Sequence, residues 1–220
     1  MPLPKPTASI HSVADASVIV VISFGWFIAG SLYAVGAGFP VNSFSDAVFL
    51  SIALSELVFA SLALIYLRLR GYDLRWLRPR PTGIGCIIGI LLYVAAAITV
   101  WPISLVMGDA NLASQPISQM LSGSMYSLPM LVGVSIINGL YEETFLTGYL
   151  LQGMRHIGAA LSIGIVSLIR LMYHLYQGPI GAISAVAFGV VVGVYYWRTK
   201  DLWSVVVAHV FGDFAGFSMS

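Results

Sequence analysis

The sequence predicts an all-α, polytopic bundle of transmembrane helices, and three observations predict it. Apolar residues make up 59% of the chain and charged residues only 9%, whereas an ordinary soluble domain carries about 25% charged residues. The mean hydropathy is +0.92. The apolar residues gather into seven runs separated by short polar segments, and most runs approach the ~20 residues a helix needs to cross the hydrocarbon core. Residues 1–220 are therefore expected to form one transmembrane domain. The formal net charge of +1 leaves no basic footprint for nucleic acid. Cys86 is the single cysteine, which excludes an internal disulfide and a cysteine-rich metal site.

A polar, Pro-rich segment holding Lys5 and a solvated His11 leads into the first run, 17–38. The second, 46–69, ends among Arg68, Arg70, Arg75, Arg78 and Arg80. The third, 83–106, opens with Gly85 and Gly89, a small-xxx-small spacing that lets helices approach closely. The loop 107–125, with Asp109 and Asn111, reads as a short external cap. The fourth run is 126–153 and the fifth 159–177; the sixth, 179–197, starts at Gly178-Pro179, a turn and helix-start signal. Gly189 and Gly193 repeat the small-xxx-small spacing there and read as packing features. The seventh run is 202–218. Pro102 and Pro129 are expected to kink their helices.

Basic residues set the orientation. Lys5, the Arg68–Arg80 group, Arg155, Arg198 and Lys200 fall at alternate ends of successive runs, so nine of the ten Lys and Arg residues lie on one side. By the positive-inside rule that side is cytoplasmic, which places the protein in the cell membrane with its N-terminus inside and its C-terminus outside. The tenth basic residue, Arg170, lies inside the fifth run.

The ionisable groups within the runs are Glu56, Glu142, Glu143, Arg170, His174, His209 and Asp213. An acidic residue at the centre of a spanning helix costs about 2.5–3.5 kcal/mol on insertion scales, and two adjacent ones also repel. Glu142 and Glu143 are such a pair. Arg170 with His174, His209 with Asp213, and Asn138 with Glu142 each stand four residues apart, on one helix face. Polar stripes of this kind face the bundle interior, and three of them can meet in one wet pocket. Glu56 is expected to bond to a neighbouring helix or face water rather than join the site. Tyr141 and Tyr173 flank the motifs as packing or supporting groups.

A carboxylate and an imidazole can jointly activate water as a general base, and a second imidazole with a hydrogen-bonding neighbour can stabilise an oxyanion. These parts suffice for amide hydrolysis. Zinc is the other option, because Glu142, His174 and His209 would supply the His₂Glu ligand set of catalytic zinc sites. The His-Glu-x-x-His helix of zinc proteases is absent, as are Gly-x-Gly-Asp and Gly-x-Ser-Gly.

Glu142-Glu143-x-x-x-Thr147, then x-x-x-His174, then His209-x-x-x-Asp213 resembles the CPBP (CAAX protease and bacteriocin-processing) intramembrane protease family, which includes the type II CAAX prenyl endopeptidases. That family's pattern is Glu-Glu-x-x-x-Arg, Phe-x-x-x-His and His-x-x-x-Asn/Asp on separate helices. The resemblance covers roughly 135–215 and includes Gly148, placed as in the family's Arg-Gly. It implies an intramembrane endopeptidase acting on a peptide or protein substrate, lipidated or membrane-bound. Glu142 would be the base, His174 would help hold the water, Glu143 would orient or neutralise its neighbours, and His209 with Asp213 would form the oxyanion side. The family is usually labelled metalloprotease, and a metal-free glutamate mechanism uses the same residues; the latter is preferred here because the acid pair already supplies a base.

Thr147 and Arg170 stand where that family usually has Arg and Phe. The two departures are read as one event, with Arg170 reaching across to pair with Glu143. If it did not, the chain would be a weak or inactive member, acting as a binding or immunity factor. A small transporter would need a continuous polar route and paired repeats, and neither is seen.

Overall fold

A computed structural model describes residues 13–107, 111–112 and 114–218; Lys5, His11 and Asp109 lie outside them. Helix α1 spans Val13–Gly36. Helix α2, Asp46–Leu69, starts where the Ser45 hydroxyl accepts from the Val48 amide, with Asp46 in its first turn and Arg68 in its last, as the helix dipole favours. Helix α3 is Gly83–Met107 and stays helical through Pro102. A short α4, Pro116–Ser122, occupies part of the expected external loop.

Helix α5, Leu128–Glu142, places Pro129 in its first turn. There the missing N–H costs nothing, so Pro129 starts the helix rather than kinking it. From Glu143 to Leu151 the same rod widens into π geometry. Helix α6, Ala159–His174, ends in a 3₁₀ turn at Leu175–Gln177, somewhat short of the expected span. Helix α7, Gly178–Thr199, stops at Lys200, which adopts the left-handed conformation. Helix α8 is Leu202–Ser218. Among the described residues the only β pairing is the isolated bridge Ser45–Met125.

Side-chain contacts give the relative directions. Helices α1 and α6 run parallel, since Phe24 stacks on Tyr173 and Ser31 accepts from the Tyr176 amide. Helices α3 and α8 are also parallel, with Gly85 against Ser204, Gly89 against Val207 and Tyr93 against Phe211. Helices α5 and α8 are antiparallel: the Tyr126 hydroxyl donates to the Phe217 carbonyl at one end, and Gly139 lies against Val206 further along. Helices α6 and α7 form an antiparallel hairpin, Ile163 meeting Gly193 and Arg170 meeting Gly189. Asp15 pairs with Arg70 at 2.8 Å and Phe27 meets Phe59, so α1 and α2 are antiparallel. Successive long helices thus alternate in direction. The ends near Arg70, Arg155 and Trp203 lie together, with Arg155 over the Trp197 ring and the Trp203 indole N–H donating to the Thr82 carbonyl.

The distribution of polarity is inverted relative to a soluble domain. Large apolar side chains such as Val21, Leu54, Val58, Ile87, Ile98 and Leu161 are exposed, while Asp15, Glu56, Glu142, Glu143, Arg170 and His209 are buried. Val13–Gly36, Asp46–Leu69, Gly83–Ile103 and the Ala159–Thr199 hairpin are long and apolar enough to cross a membrane. With that surface, the protein is a membrane protein. The π stretch runs through its interior, where Phe145, Leu146, Leu150 and Leu151 are all buried in the main apolar core.

The α3–α8 contact depends on two glycines. A Cβ on Gly89 would sit 2.7 Å from both the Ser204 carbonyl oxygen and the Val207 Cβ, and one on Gly85 would lie 2.6 Å from the Trp203 ring. Gly89→Ala should force these helices apart and lower stability by about 1–3 kcal/mol, the usual range for overpacking. Gly164→Ala, with nothing within 4 Å of the added carbon, should be neutral or stabilising. Thermal unfolding of both variants in detergent checks this.

Candidate active site

The site is built where α5 gives way to the π stretch. Two neighbouring residues on a helix are about 100° apart, as the 3.6-residue turn dictates, so an adjacent acid pair can turn inward only if the interior offers partners on two sides. Glu142 and Glu143 both turn inward, with 6% and 0% exposure. Their partners come from α6 and α8. π geometry often marks functional segments, and here it begins at Glu143.

Arg170 of α6 joins the two acids. Its Nη1 lies 3.1 Å from Glu142 Oε2 and its Nη2 lies 2.6 Å from Glu143 Oε1. The bridge anticipated from the Thr147 and Arg170 departures is present, and it spans both carboxylates rather than Glu143 alone. Gly189 on α7 makes the crossing possible. A Cβ there would be 3.1 Å from both Cδ and Nε of Arg170, so this glycine seats the guanidinium and is more than a packing feature. The Phe188 ring lies 5.2 Å from the guanidinium carbon.

The two acids differ in what remains free. Glu143 Oε1 accepts from Arg170 and from His209 Nδ1 at 2.7 Å, and Oε2 accepts from the Thr147 hydroxyl at 2.6 Å. Glu143 is therefore a saturated anchor. Glu142 Oε2 accepts from Arg170 Nη1 and from the Tyr173 hydroxyl. Among the described residues no hydrogen bond reaches its Oε1, and Glu142 lines a cavity of about 360 Å³. Glu142 keeps a whole oxygen for a guest, whereas both oxygens of Glu143 are engaged.

His209 stands between the acids and Asp213. Its Nε2 is 3.8 Å from Glu142 Oε2 and 3.6 Å from Asp213 Oδ1, both beyond hydrogen-bond range. Asn138 of α5 donates to Asp213 Oδ2 at 2.8 Å and approaches His209 Nε2 at 3.3 Å. Asn138 was legible only as a polar residue one turn before Glu142, and it is a member of the site. Tyr173, read as a flanking residue, touches Glu142 directly.

His174 is placed differently. Its Nδ1 meets the Arg170 carbonyl oxygen at 3.0 Å. A carbonyl only accepts, so Nδ1 carries the proton. His174 lines the 360 Å³ cavity with Glu142 and also a second cavity of about 320 Å³ with Arg170 and His209. It shares the space of the cluster and bonds to the Arg170 backbone rather than to the acids. Glu56 of α2, expected outside the site, lines the first cavity together with Glu142, Asn138 and Asp213. The physical reason is that α2 packs parallel to α5, which brings its one mid-helix acid level with the motif.

The zinc option meets an obstacle. Among the described residues, the donor atoms that approach within 4.8 Å of one another belong to Glu142, Glu143 and His209, so the Glu142–His174–His209 set is not assembled and one imidazole is in reach. The guanidinium already bridges the two carboxylates, and a divalent ion between them would meet a fixed positive charge. These residues do not fit a His₂Glu zinc centre.

Arg170→Met would remove the cation that bridges two buried acids. It should destabilise the protein by about 3–5 kcal/mol, as breaking a buried pair does. Adding Glu143→Gln should restore part of that loss, because one orphaned charge is removed. A double-mutant cycle of detergent melting curves measures both effects.

Residues 124–215 match the family model described as Type II CAAX prenyl endopeptidase Rce1-like, a segment running from just before α5 through most of α8 and holding Glu142, Glu143, Arg170, His174, His209 and Asp213. Helices α1–α3 lie outside it. No curated protein and no solved structure matches the chain. Residues 124–215 are thus similar to the type II CAAX prenyl endopeptidase Rce1-like family.

Proposed function

We propose that this protein hydrolyses a peptide bond within the membrane, using water activated by Glu142. The observation that carries the reading is the asymmetry of the acid pair: both oxygens of Glu143 accept hydrogen bonds, while Glu142, whose Oε1 accepts none among the described residues, lines a cavity with His174 and Asp213. A peptide or protein substrate follows from the protease family, and a lipidated or membrane-bound one suits a site enclosed by apolar helices. The charge pattern supports seven passages with the N-terminus on the cytoplasmic side.

In this reading a water sits between Glu142 Oε1 and His174 Nε2. Glu142 takes one proton, and the hydroxide attacks the scissile carbonyl carbon. The carbonyl π electrons move to oxygen, giving a tetrahedral oxyanion. With both ring nitrogens protonated, His209 holds Glu143 through Nδ1–H and offers Nε2–H to the oxyanion. Asn138 offers a second amide hydrogen from the same side. Collapse re-forms the carbonyl and breaks the C–N bond, and the proton held by Glu142 passes to the departing amine. The products are a new C-terminal carboxylate and a new N-terminal amine.

The remaining groups act by positioning. Arg170 holds both acids and offsets their charge, Tyr173 fixes Glu142 Oε2 so that Oε1 faces the guest, and Thr147 with Glu143 orients His209. Glu142→Ala and His174→Ala should each abolish cleavage in a peptide-library assay on detergent-purified protein while the variants remain folded and monodisperse. Cleavage that persists in Glu142→Ala would overturn the base assignment. Metal analysis should find no stoichiometric zinc, and a chelator should leave the rate unchanged. A chelator-sensitive rate restored by added zinc would overturn the metal-free scheme.

A further inference from the structure

We propose that Glu56 makes the 360 Å³ chamber beside Glu142 a specificity pocket for a cationic side chain, lysine or arginine, on the substrate. The inference rests on that chamber being the peptide-binding site. Glu56 is 97% buried, at 3% exposure, and its Oε2 has no hydrogen-bond partner. It lines the chamber with Glu142 and Asp213, and the lining includes no Lys or Arg. Arg170 lines the other cavity and spends its Nη1 and Nη2 on Glu142 and Glu143. The chain itself therefore supplies no partner for Glu56.

A buried carboxyl without a partner is costly, and a guest that brings the partner removes the cost. The walls next to it favour a cation with an aliphatic stem. Phe24, Phe27, Phe49 and Tyr141 line the chamber, and aromatic faces attract ammonium and guanidinium groups. The volume lies within the ~300–1,000 Å³ range of ligand pockets. The chamber also has an accessible rim: Trp26 is 69% exposed on α1, and Gly30, Pro40 and Asn42 beside it are exposed. Glu56 lies on α2, outside residues 124–215, so the N-terminal helices supply this carboxyl to a chamber that Glu142, Asn138 and Asp213 of the matched segment also line.

The test compares peptides identical except for lysine or norleucine at the residues flanking the cleaved bond. Purified wild-type protein should cleave the lysine peptide with kcat/KM about ten- to a hundredfold higher, the discrimination expected of one charge-assisted buried contact. In Glu56→Gln, which keeps shape and hydrogen bonding but removes the carboxylate, the ratio should fall to about one. Equal rates in wild type, or an unchanged ratio in Glu56→Gln, overturn the proposal. Wild type alone gives a second measure, because acetylating the lysine should abolish the preference even if the variant fails to fold. Equilibrium binding of the same peptides separates this inference from the hydrolytic reading. Discrimination in binding without any cleavage upholds the pocket and defeats hydrolysis, and cleavage without discrimination does the reverse.

Discussion

A single buried guanidinium holds this structure's interior together. Two adjacent carboxylates in an apolar helix are tolerable only if something offsets their charge, and Arg170 touches both, at 3.1 and 2.6 Å. Its position follows from three helices at once. Helix α6 carries it, Gly189 on α7 leaves the space through which it extends, and the transition from α5 to π geometry sets the two acids on either side of it. A lysine could meet one acid as a point charge; the planar fork of arginine meets two.

The pair is then divided by its surroundings. Thr147, Arg170 and His209 saturate Glu143, which becomes part of the scaffold. Glu142 receives Arg170 and Tyr173 on one oxygen, keeps the other free of hydrogen bonds among the described residues, and lines the chamber. Chemically identical neighbours thus acquire separate roles, because one faces the α8 side of the bundle and the other faces open space. The interior polar network is rigid where every member is satisfied, and reactive at the few atoms left over.

Much of the fold was legible in the chain. Hydrophobic runs near membrane-crossing length translate into helices within a few residues, as 46–69 and 202–218 illustrate, because apolar length is a local property. Departures occurred where local signals compete. Pro129 reads equally as a kink or a helix start, and the first-turn position decides it. The break after His174 depends on the tight return into α7, and the expected loop at 107–125 includes the short helix α4. Glycine pairs were recognisable as close-approach points, yet which neighbour fills each notch was not; Gly89 meets a helix backbone and Gly189 meets a functional side chain.

The sequence by itself determined the membrane character, the helical class and the identity of the ionisable residues, including the Thr147–Arg170 exchange, because composition and i, i+4 spacing act within a single helix. Only the tertiary structure decided which of them touch. It joined Asn138 and Tyr173 to the site, drew Glu56 from α2 into the chamber, and left His174 beside the cluster bonded to a backbone carbonyl. The physical reason is that contacts between helices depend on crossing geometry and on the space small residues leave, which are properties of the assembled bundle and of no single segment.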